Sequence, residues 1–356
     1  MKQLIKPTKL NKNDTVAAVS LSWGGCDEFK NRYLQGKRQF EETFDVKIIE
    51  MPHTLSSAQD IYEHPEWRLQ DLMSAFTDKN IKAILTTIGG DDTIRLLSLM
   101  NKTHFDIIRN NPKIFMGMSD TTVNHFMCFK AGLSSFYSPS LMFGYAENGG
   151  IPDYMVQNTK KTLFSSNVIG QLVPSKEFIV QKVPFEKNDI RQRIPTKPWR
   201  FIQGNTKTIG RLLGGCIDVL DFINGTTLWP KNDEWENAVL FIETSENKPT
   251  PDQLCYWLRN FAAQGILQKI SGILFARPGG EFSIHKADAQ ERFLSCYTDY
   301  DTSILQVLKE YNCPDIPVVT NMDFGHTVPQ FILPYGALCE IDPIMQTVSI
   351  LESGVI

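Results

Sequence analysis

The chain of 356 residues lacks several features that would place it in a specialised class. Its longest apolar runs, such as residues 272–276, are far shorter than the roughly 20 residues that span a bilayer. Residues 1–14 carry scattered lysines and no apolar core of signal-peptide length, so we expect a cytoplasmic protein with no membrane attachment. The formal net charge of -4 argues against the basic face of a nucleic-acid binder.

Cysteine is scarce and scattered, and this argues against a disulfide framework or a zinc site. The seven cysteines are Cys26, Cys128, Cys216, Cys255, Cys296, Cys313 and Cys339. An odd number without a Cys-x-x-Cys pair is typical of reduced thiols, and no His/Cys pair has the spacing of zinc ligands. A phosphate loop at Gly89-Gly90 is a weak alternative, because Gly-x-Gly-x-x-Gly spacing and a following Gly-Lys-Ser/Thr are both missing. We therefore predict neither a metal nor an organic cofactor.

The first half of the chain alternates buried strands with helices. We predict strands at 15–21, 46–51, 81–88 and 113–116, and helices at 31–44, 65–76, 93–100 and from 123 to about 130. This alternation is typical of parallel βαβ units, in which ligands bind at the carboxyl ends of the strands. Three loops follow such ends, at residues 22–25, 89–92 and 117–121.

The second half mixes short strands with helices. We predict strands at 209–213, 238–243, 272–276, 316–320 and 346–351, and helices at 251–264 and 302–311. Residues from about 145 to 205 show weak periodicity and are interpreted as a long irregular connection. The predicted fold is α/β: an N-terminal parallel-sheet domain (1–145), a connection and substrate loop (146–205), and a mixed, β-rich α/β C-terminal domain (206–356).

A serine follows the fourth predicted strand at the turn into a helix. Gly117-Met118-Ser119 at this point has the pattern of a nucleophile elbow, in which the hydroxyl is pushed out of the sheet beside free backbone N–H groups. The second glycine of that motif is replaced by Thr121. The alternative is a plain helix cap, with Ser119 or Asp120 bonding the first turn.

A nucleophilic serine needs a base and an acid that orients the base. The six histidines are His53, His64, His104, His125, His285 and His326. His326 is the best candidate base because it follows a predicted strand in the tight Gly325-His326-Thr327 loop, although a structural loop histidine is the alternative. His125 lies on the helix after the elbow and is expected to be structural, while His104 and His285 are expected to be exposed. Glu243 ends a hydrophobic strand and either points into a site or caps the next element.

Five motifs in this order resemble the serine LD-carboxypeptidase (muramoyltetrapeptide carboxypeptidase) family, and within it the microcin C self-immunity branch. They are Ile88-Gly89-Gly90, Gly117-Met118-Ser119-Asp120-Thr121-Thr122, Gly210-Arg211-Leu212-Leu213-Gly214-Gly215, Leu240-Phe241-Ile242-Glu243 and Phe324-Gly325-His326-Thr327. The resemblance runs over nearly the whole chain.

The resemblance implies a serine carboxypeptidase that cleaves an amide through an acyl-enzyme. It implies a triad of Ser119, Glu243 and His326 at the domain interface, with oxyanion donors from the backbone of Asp120 and of the glycine loop, at Gly90. The substrate would be a murein-derived peptide, as in cytoplasmic peptidoglycan recycling, or an aminoacyl-nucleotide of the microcin C kind. It also implies a homodimer. A non-catalytic protein that clamps a small ligand between two lobes is the alternative.

Further substrate-binding residues are expected from the same resemblance. They are Gly89, Asp91, Trp199, Cys216, Asn247 and Lys248. Trp199 either stacks on a nucleobase or pins a loop as a hydrophobic anchor. Cys216 stands where the immunity branch has asparagine, and Asn247 where it has lysine, with Lys248 one residue further on. These departures predict an altered recognition of the polar end of the substrate.

Overall fold

The computed structural model describes residues 3–179, 183–279 and 289–356, so His285 lies outside the described residues. Strands in these residues form two large sheets and one hairpin. In chain order they are β1 (Thr15–Val19), β2 (Lys47–Glu50), β3 (Ile81–Thr86), β4 (Ile114–Gly117), β5 (Phe136–Tyr137), β6 (Gly170–Gln171), β7 (Glu177–Ile179), β8 (Arg193–Pro195), β9 (Arg200–Gln203), β10 (Thr208–Cys216), β11 (Ala238–Glu243), β12 (Gly272–Ala276), β13 (Val318–Met322), β14 (Leu333–Pro334), β15 (Leu338–Asp342) and β16 (Thr347–Ile350).

Helices cover the faces of both sheets. They are α1 (Gly25–Glu28), α2 (Lys30–Phe44), α3 (Ala58–Glu63), α4 (Pro65–Thr77), α5 (Lys102–Asn110), α6 (Thr122–Ala131), α7 (Asp153–Leu163), α8 (Ile217–Ile223), α9 (Pro251–Ala263) and α10 (Ala289–Glu310). Short 3₁₀ helices lie at Thr93–Leu99, Ser119–Thr121 and Asn232–Trp235. No helix in the described part of the chain has the length and apolar character needed to cross a membrane.

The N-terminal sheet has the strand order β14-β5-β4-β3-β1-β2. Its first five strands in the chain pair in parallel, as the alternation of strands and helices predicts. β1, β3 and β4 are almost wholly buried, because helices cover both faces of a parallel sheet. The predicted α/β fold class is therefore confirmed for this half.

The second sheet is mixed. Its order is β6-β16-β15-β10-β11-β12-β13-β9, with β10 to β13 parallel and the remaining pairs antiparallel. Within it, Cys216 pairs with Glu243 at the carboxyl ends of β10 and β11. The strands predicted in this half are present, and β13 begins two residues later than predicted. A mixed, β-rich second half is thus confirmed.

The prediction of irregular structure between about 145 and 205 is wrong for several stretches. This segment contains the three-turn helix α7 and the short strands β6 to β9, and β9 forms an edge of the second sheet. The helix has a narrow buried face at Met155, Thr159, Thr162 and Leu163. Two of these four residues are threonines, so hydrophobicity alone does not show the helical period.

The two halves of the chain are joined at their sheets. β14, which follows His326 by seven residues, pairs with β5 at the edge of the N-terminal sheet. Next to β14, the backbone N–H of Tyr335 donates to the carbonyl of Ser135. The hydroxyl of Tyr335 donates to the carbonyl of Gly214 in the second sheet. The segment after His326 therefore contacts both sheets.

Candidate active site

Ser119 lies directly beyond the carboxyl end of β4, at the start of a 3₁₀ turn that leads into α6. Its φ of 61° is in the left-handed region, which is uncommon for a residue other than glycine. Such strain is found at functional sites, where the surrounding structure holds it. Gly89 approaches this turn closely, since a Cβ built on it would lie 3.2 Å from Ser119 Oγ. The turn has the geometry predicted for a nucleophile elbow.

Ser119, His326 and Glu243 form a continuous chain of hydrogen bonds. His326 Nε2 is 3.1 Å from Ser119 Oγ, and His326 Nδ1 donates to Glu243 Oε2 over 2.7 Å. The glutamate is fully buried and the histidine side chain is 9% exposed. Ser119 comes from the N-terminal sheet, and the other two side chains come from the second sheet and its loops. The three residues predicted from sequence are therefore brought together at the interface of the two halves.

Local sequence explains how His326 reaches Glu243. Gly325 has a φ of 80°, and a Cβ at this position would lie 2.5 Å from Glu243 Oε2. Because only glycine fits this approach, the chain passes close enough for the backbone N–H of His326 to donate to the same carboxylate oxygen, over 3.2 Å. Glu243 itself is the last residue of the buried strand β11, which holds its backbone rigidly.

Tyr137 is a residue of this site that the sequence interpretation missed. Its buried hydroxyl donates to Glu243 Oε1 and accepts a hydrogen bond from the backbone N–H of Ser119, over 3.1 Å. Tyr137 ends β5 and pairs with Gly117 of β4. Its position at the carboxyl end of the next parallel strand was the signal that could have identified it. One hydroxyl thus connects the serine turn to the carboxylate.

Glu246 contacts the same histidine from the solvent side. Its Oε2 lies 3.0 Å from His326 Nε2, and its side chain is 66% exposed. Burial disfavours the charged imidazole, but the carboxylate of Glu243, reinforced by that of Glu246, outweighs burial and holds the pKa of His326 well above its ordinary value. His326 is therefore biased toward its protonated form when Glu246 is in contact.

The carboxylate of Asp120 is hydrogen-bonded to residues outside the triad. Its buried carboxylate accepts hydrogen bonds from Ser22 Oγ and from the backbone and hydroxyl of Thr93. Burial raises the pKa of Asp120 despite these bonds. The Cβ position of Gly89 is 3.5 Å from the backbone nitrogen of Asp120, and Gly90 and Asp91 are exposed beside it. The predicted donor loop and the serine turn are thus adjacent.

Cys216 lies beneath the site rather than on its surface. Its side chain is fully buried, and the ligand atoms of Cys216, Glu243 and His326 lie within 4.8 Å of one another. Burial first, then Glu243 and Asp218, raise the pKa of the thiol, so it stays neutral. Both oxygens of Glu243 already accept hydrogen bonds. The carboxylate is therefore engaged within the hydrogen-bond chain of the site.

The remaining predicted substrate residues divide into two groups. Asn247 and Lys248 are exposed on the loop after β11, close in sequence to Glu243 and Glu246. Trp199 is 8% exposed, packs edge-on against Phe331 and donates its indole N–H to Asp323 Oδ2 over 2.8 Å. This arrangement corresponds to the anchor alternative for Trp199, because a buried indole has no free face for a nucleobase.

Four of the other histidines have structural contacts, and His64 is one of them, since its Nδ1 lies 2.7 Å from Glu66 Oε1 and its ring stacks on Trp67. His125 is buried between Ser135 Oγ (2.8 Å) and the carbonyl of Gly117 (3.0 Å), and burial lowers its pKa to about 3. It is structural, as predicted. His53 contacts Asp71, and His104 forms the capping box of α5. None of these imidazoles faces Ser119.

A cavity of about 810 Å³ lies between the start of α7 and residues 173–179, and Ser119, Glu243 and His326 are not among its lining residues. Its walls include residues 149–154 around the start of α7, residues 173–179, and Pro329, three residues after His326. The segment predicted to form a substrate loop therefore lines this cavity together with Pro329.

The chain matches two family models that together include the serine turn and the glutamate and histidine segments. Residues 16–138 match the LD-carboxypeptidase N-terminal domain, and residues 209–341 match the LD-carboxypeptidase C-terminal domain. The microcin C7 self-immunity protein MccF of Escherichia coli is 27% identical over 95% of this chain and 93% of its own length. A Bacillus subtilis protein described as a probable murein peptide carboxypeptidase is 26% identical over 98% and 95%.

Solved structures of MccF and of an MccF-like protein are also similar to this chain. An MccF-like protein from Streptococcus pneumoniae, in complex with AMP, is 29% identical and superimposes with a TM-score of 0.82 over 95% of this chain and 98% of its own. MccF bound to aspartyl sulfamoyl adenosine shares the fold, with a TM-score of 0.82 at 24% identity over 99% of this chain and 100% of its own. The family models, the relatives and the fold agree, and the chain belongs to the LD-carboxypeptidase family.

Proposed function

We propose that this chain is a serine carboxypeptidase that hydrolyses an amide through an acyl-enzyme formed on Ser119. The observation that carries the proposal is the hydrogen-bond chain from Ser119 Oγ through His326 to Glu243. His326 takes the proton of Ser119 during attack and then gives it to the leaving amine. Glu243 fixes the tautomer of the imidazole and stabilises its cation.

The developing negative charge on the substrate oxygen is met by backbone donors. Tyr137 already accepts the N–H of Ser119, so the donors we assign are the backbone N–H of Asp120 and that of Gly90 in the adjacent loop. Fixed donors at such a position stabilise the transition state more than the ground state. Gly89 leaves room for the substrate because it has no side chain next to the serine. The reaction requires neither a metal nor an organic cofactor.

Two substrate classes fit the family. The E. coli relative is named a microcin C7 self-immunity protein, and the B. subtilis relative is described as a murein peptide enzyme. The substrate is accordingly an aminoacyl-nucleotide or a murein-derived tetrapeptide, and Asp91, Asn247 and Lys248 line its approach. A cytoplasmic homodimer that acts in peptidoglycan recycling or detoxification remains our prediction.

A hydrolysis assay read by mass spectrometry tests this proposal. Wild-type protein and Ser119→Ala are each given an L,D-tetrapeptide and an aminoacyl-sulfamoyl-adenosine. Release of D-alanine by the wild type alone identifies a murein enzyme, whereas release of the amino acid from the adenosine alone identifies an immunity-type hydrolase. If the wild type hydrolyses neither substrate, both assignments are contradicted.

The second candidate is a non-catalytic protein that binds a small ligand between its halves. The strained φ of Ser119 argues against it, because a binding module has no need of a hydroxyl held in this conformation. Covalent labelling by a fluorophosphonate separates the two candidates. An active nucleophile is labelled at Ser119 and a pure binding protein is not.

Tyr137→Phe is expected to lower kcat by about tenfold or more. The substitution removes the hydroxyl that donates to Glu243 and accepts from Ser119 N–H, and a lost bond to a charged group costs about 1.5–3 kcal/mol. The matched control is Tyr145→Phe, which removes a buried hydroxyl bonded to Thr159 Oγ1 away from the site. It should cost comparable thermal stability and leave kcat unchanged. Equal kcat values for the two variants would contradict a role for Tyr137 in positioning the site.

The acid limb of the pH dependence of kcat/KM is expected to lie at a raised pH. His326 must be neutral to accept the proton of Ser119, and Glu243 and Glu246 hold its pKa well above the ordinary value of 6.5. More of the free enzyme is therefore protonated at neutral pH, and kcat/KM should rise with pH and be half-maximal above pH 6.5. A plateau already reached at pH 6 would show that these carboxylates do not act on His326 in solution.

A further inference from the structure

One nitrogen of His326 has two partners. Nε2 lies 3.1 Å from Ser119 Oγ and 3.0 Å from Glu246 Oε2, and the glutamate is 66% exposed at the mouth of the site. Glu246 is on the loop that follows β11, three residues after Glu243. A carboxylate that solvent can reach therefore occupies the face of the imidazole that the reaction uses.

This contact and catalysis exclude each other. His326 keeps its Nδ1 proton and donates it in a hydrogen bond to Glu243, so a neutral imidazole presents only a lone pair at Nε2. A lone pair can accept the proton of Ser119, but it cannot donate to a carboxylate. The bond to Glu246 requires an N–H at Nε2, which is the protonated and inactive form. Glu246 must therefore leave His326 before Ser119 attacks.

The position of Glu246 limits what it can contact next. Its Oε2 cannot lie farther from Ser119 Oγ than the two distances of 3.0 and 3.1 Å laid end to end. The acyl carbon of a bound substrate must come within about 3–3.5 Å of Ser119 Oγ. A group on the atom next to that carbon can therefore lie in the same region as this exposed carboxylate. A carboxylate that gives up a cation is best satisfied by another cation, and it repels an anion.

We propose that Glu246 is a specificity-determining residue that exchanges His326 for a free ammonium group on the acyl part of the substrate, next to the scissile carbonyl. This inference rests on the proposed function and narrows it. In an aminoacyl-nucleotide the nitrogen at that position is a free α-ammonium. In a murein tetrapeptide it is a neutral amide within the peptide chain. Binding of the ammonium both selects the substrate and releases the base.

The test compares two substrates that differ only at this nitrogen. They are an aminoacyl-sulfamoyl-adenosine and its N-acetyl derivative, and kcat/KM is measured for the wild type and for Glu246→Gln. The wild type should prefer the free amine by about tenfold or more, the effect of one charge-assisted hydrogen bond. Glu246→Gln should lose this preference mainly by slower turnover of the free amine. The matched control is Glu42→Gln, the same change at an exposed position on α2, and it should keep the preference.

A second measurement separates the role in specificity from a merely structural one. Removal of the Glu246 charge should move the acid limb of kcat/KM for the N-acetyl substrate to lower pH, because one of the two carboxylates on His326 is gone. An unchanged preference in Glu246→Gln, with normal turnover, overturns the inference and leaves the proposed function standing. Labelling of Ser119 by a fluorophosphonate without turnover of either adenosine overturns the substrate assignment, and the inference with it.

Discussion

Replacement of Ser119 by alanine is expected to lower kcat by about a million-fold, the loss seen when the nucleophile of a serine triad is removed. In the proposed mechanism the acyl-enzyme forms on this hydroxyl, and the nearby thiol cannot replace it. Cys216, the thiol near Glu243, is buried and neutral because burial and its acidic neighbours raise its pKa. The measurement is turnover of the preferred substrate together with fluorophosphonate labelling of the intact protein.

The control for this prediction is a check that Ser119→Ala is still folded. Ser119 lies in a buried turn, and its backbone N–H, which alanine keeps, donates to Tyr137. Ser119→Ala should therefore melt at nearly the temperature of the wild type and still bind substrate. Residual turnover within a hundredfold of the wild type would exclude Ser119 as the nucleophile.

Glu243→Gln is expected to lower kcat by about ten-thousand-fold, as when the acid of a serine triad becomes an amide. Glu243 accepts three hydrogen bonds, from His326 Nδ1, from the backbone of His326 and from Tyr137. An amide has one oxygen that accepts and one nitrogen that donates, so it cannot satisfy all three donors. It also cannot stabilise an imidazolium by charge. We therefore expect both a wrong tautomer of His326 and an unpaired group in a buried site.

A matched substitution separates this loss from general destabilisation. Glu147 is another buried glutamate, 2% exposed, and it pairs with Arg191 and Arg32 away from the serine. Glu147→Gln should lower the melting temperature, because it leaves buried guanidinium groups without their counter-charge. It should nevertheless retain a kcat close to that of the wild type. If both variants lost activity in proportion to stability, Glu243 would have no special role.

Local sequence was sufficient to predict the elements that carry the chemistry. Ser119 follows a short apolar strand, and the turn between that strand and the next helix can be recognised from residue order alone. Sequence predicts Glu243 and His326 for a similar reason, since Glu243 ends a hydrophobic strand and His326 lies in the loop after another. Their meeting with Ser119 was only implied by family resemblance, because it depends on how the two sheets pack.

The contacts that sequence did not predict are those made across strands or by a loop. Tyr137 is one of two residues in β5, and its importance arises only because β5 pairs with β4 beside Gly117. In the sequence Glu246 is an ordinary charged loop residue, and only the fold shows its contact with His326. The sequence leaves both alternatives open for Trp199, because the partner of its indole, Asp323, is 124 residues away.

The short strand β14 has a consequence for how the protein is made. The N-terminal sheet has five of its strands by residue 137, but its edge beside β5 is covered only by residues 333–334. During synthesis this edge stays unpaired while nearly two hundred further residues emerge, and exposed edges invite aggregation. Because β14 follows His326 by seven residues, a chain long enough to pair β14 with β5 already contains His326. Completion of the first sheet and assembly of the proposed triad therefore both depend on the same late segment of the chain, and a chain truncated before residue 326 lacks both.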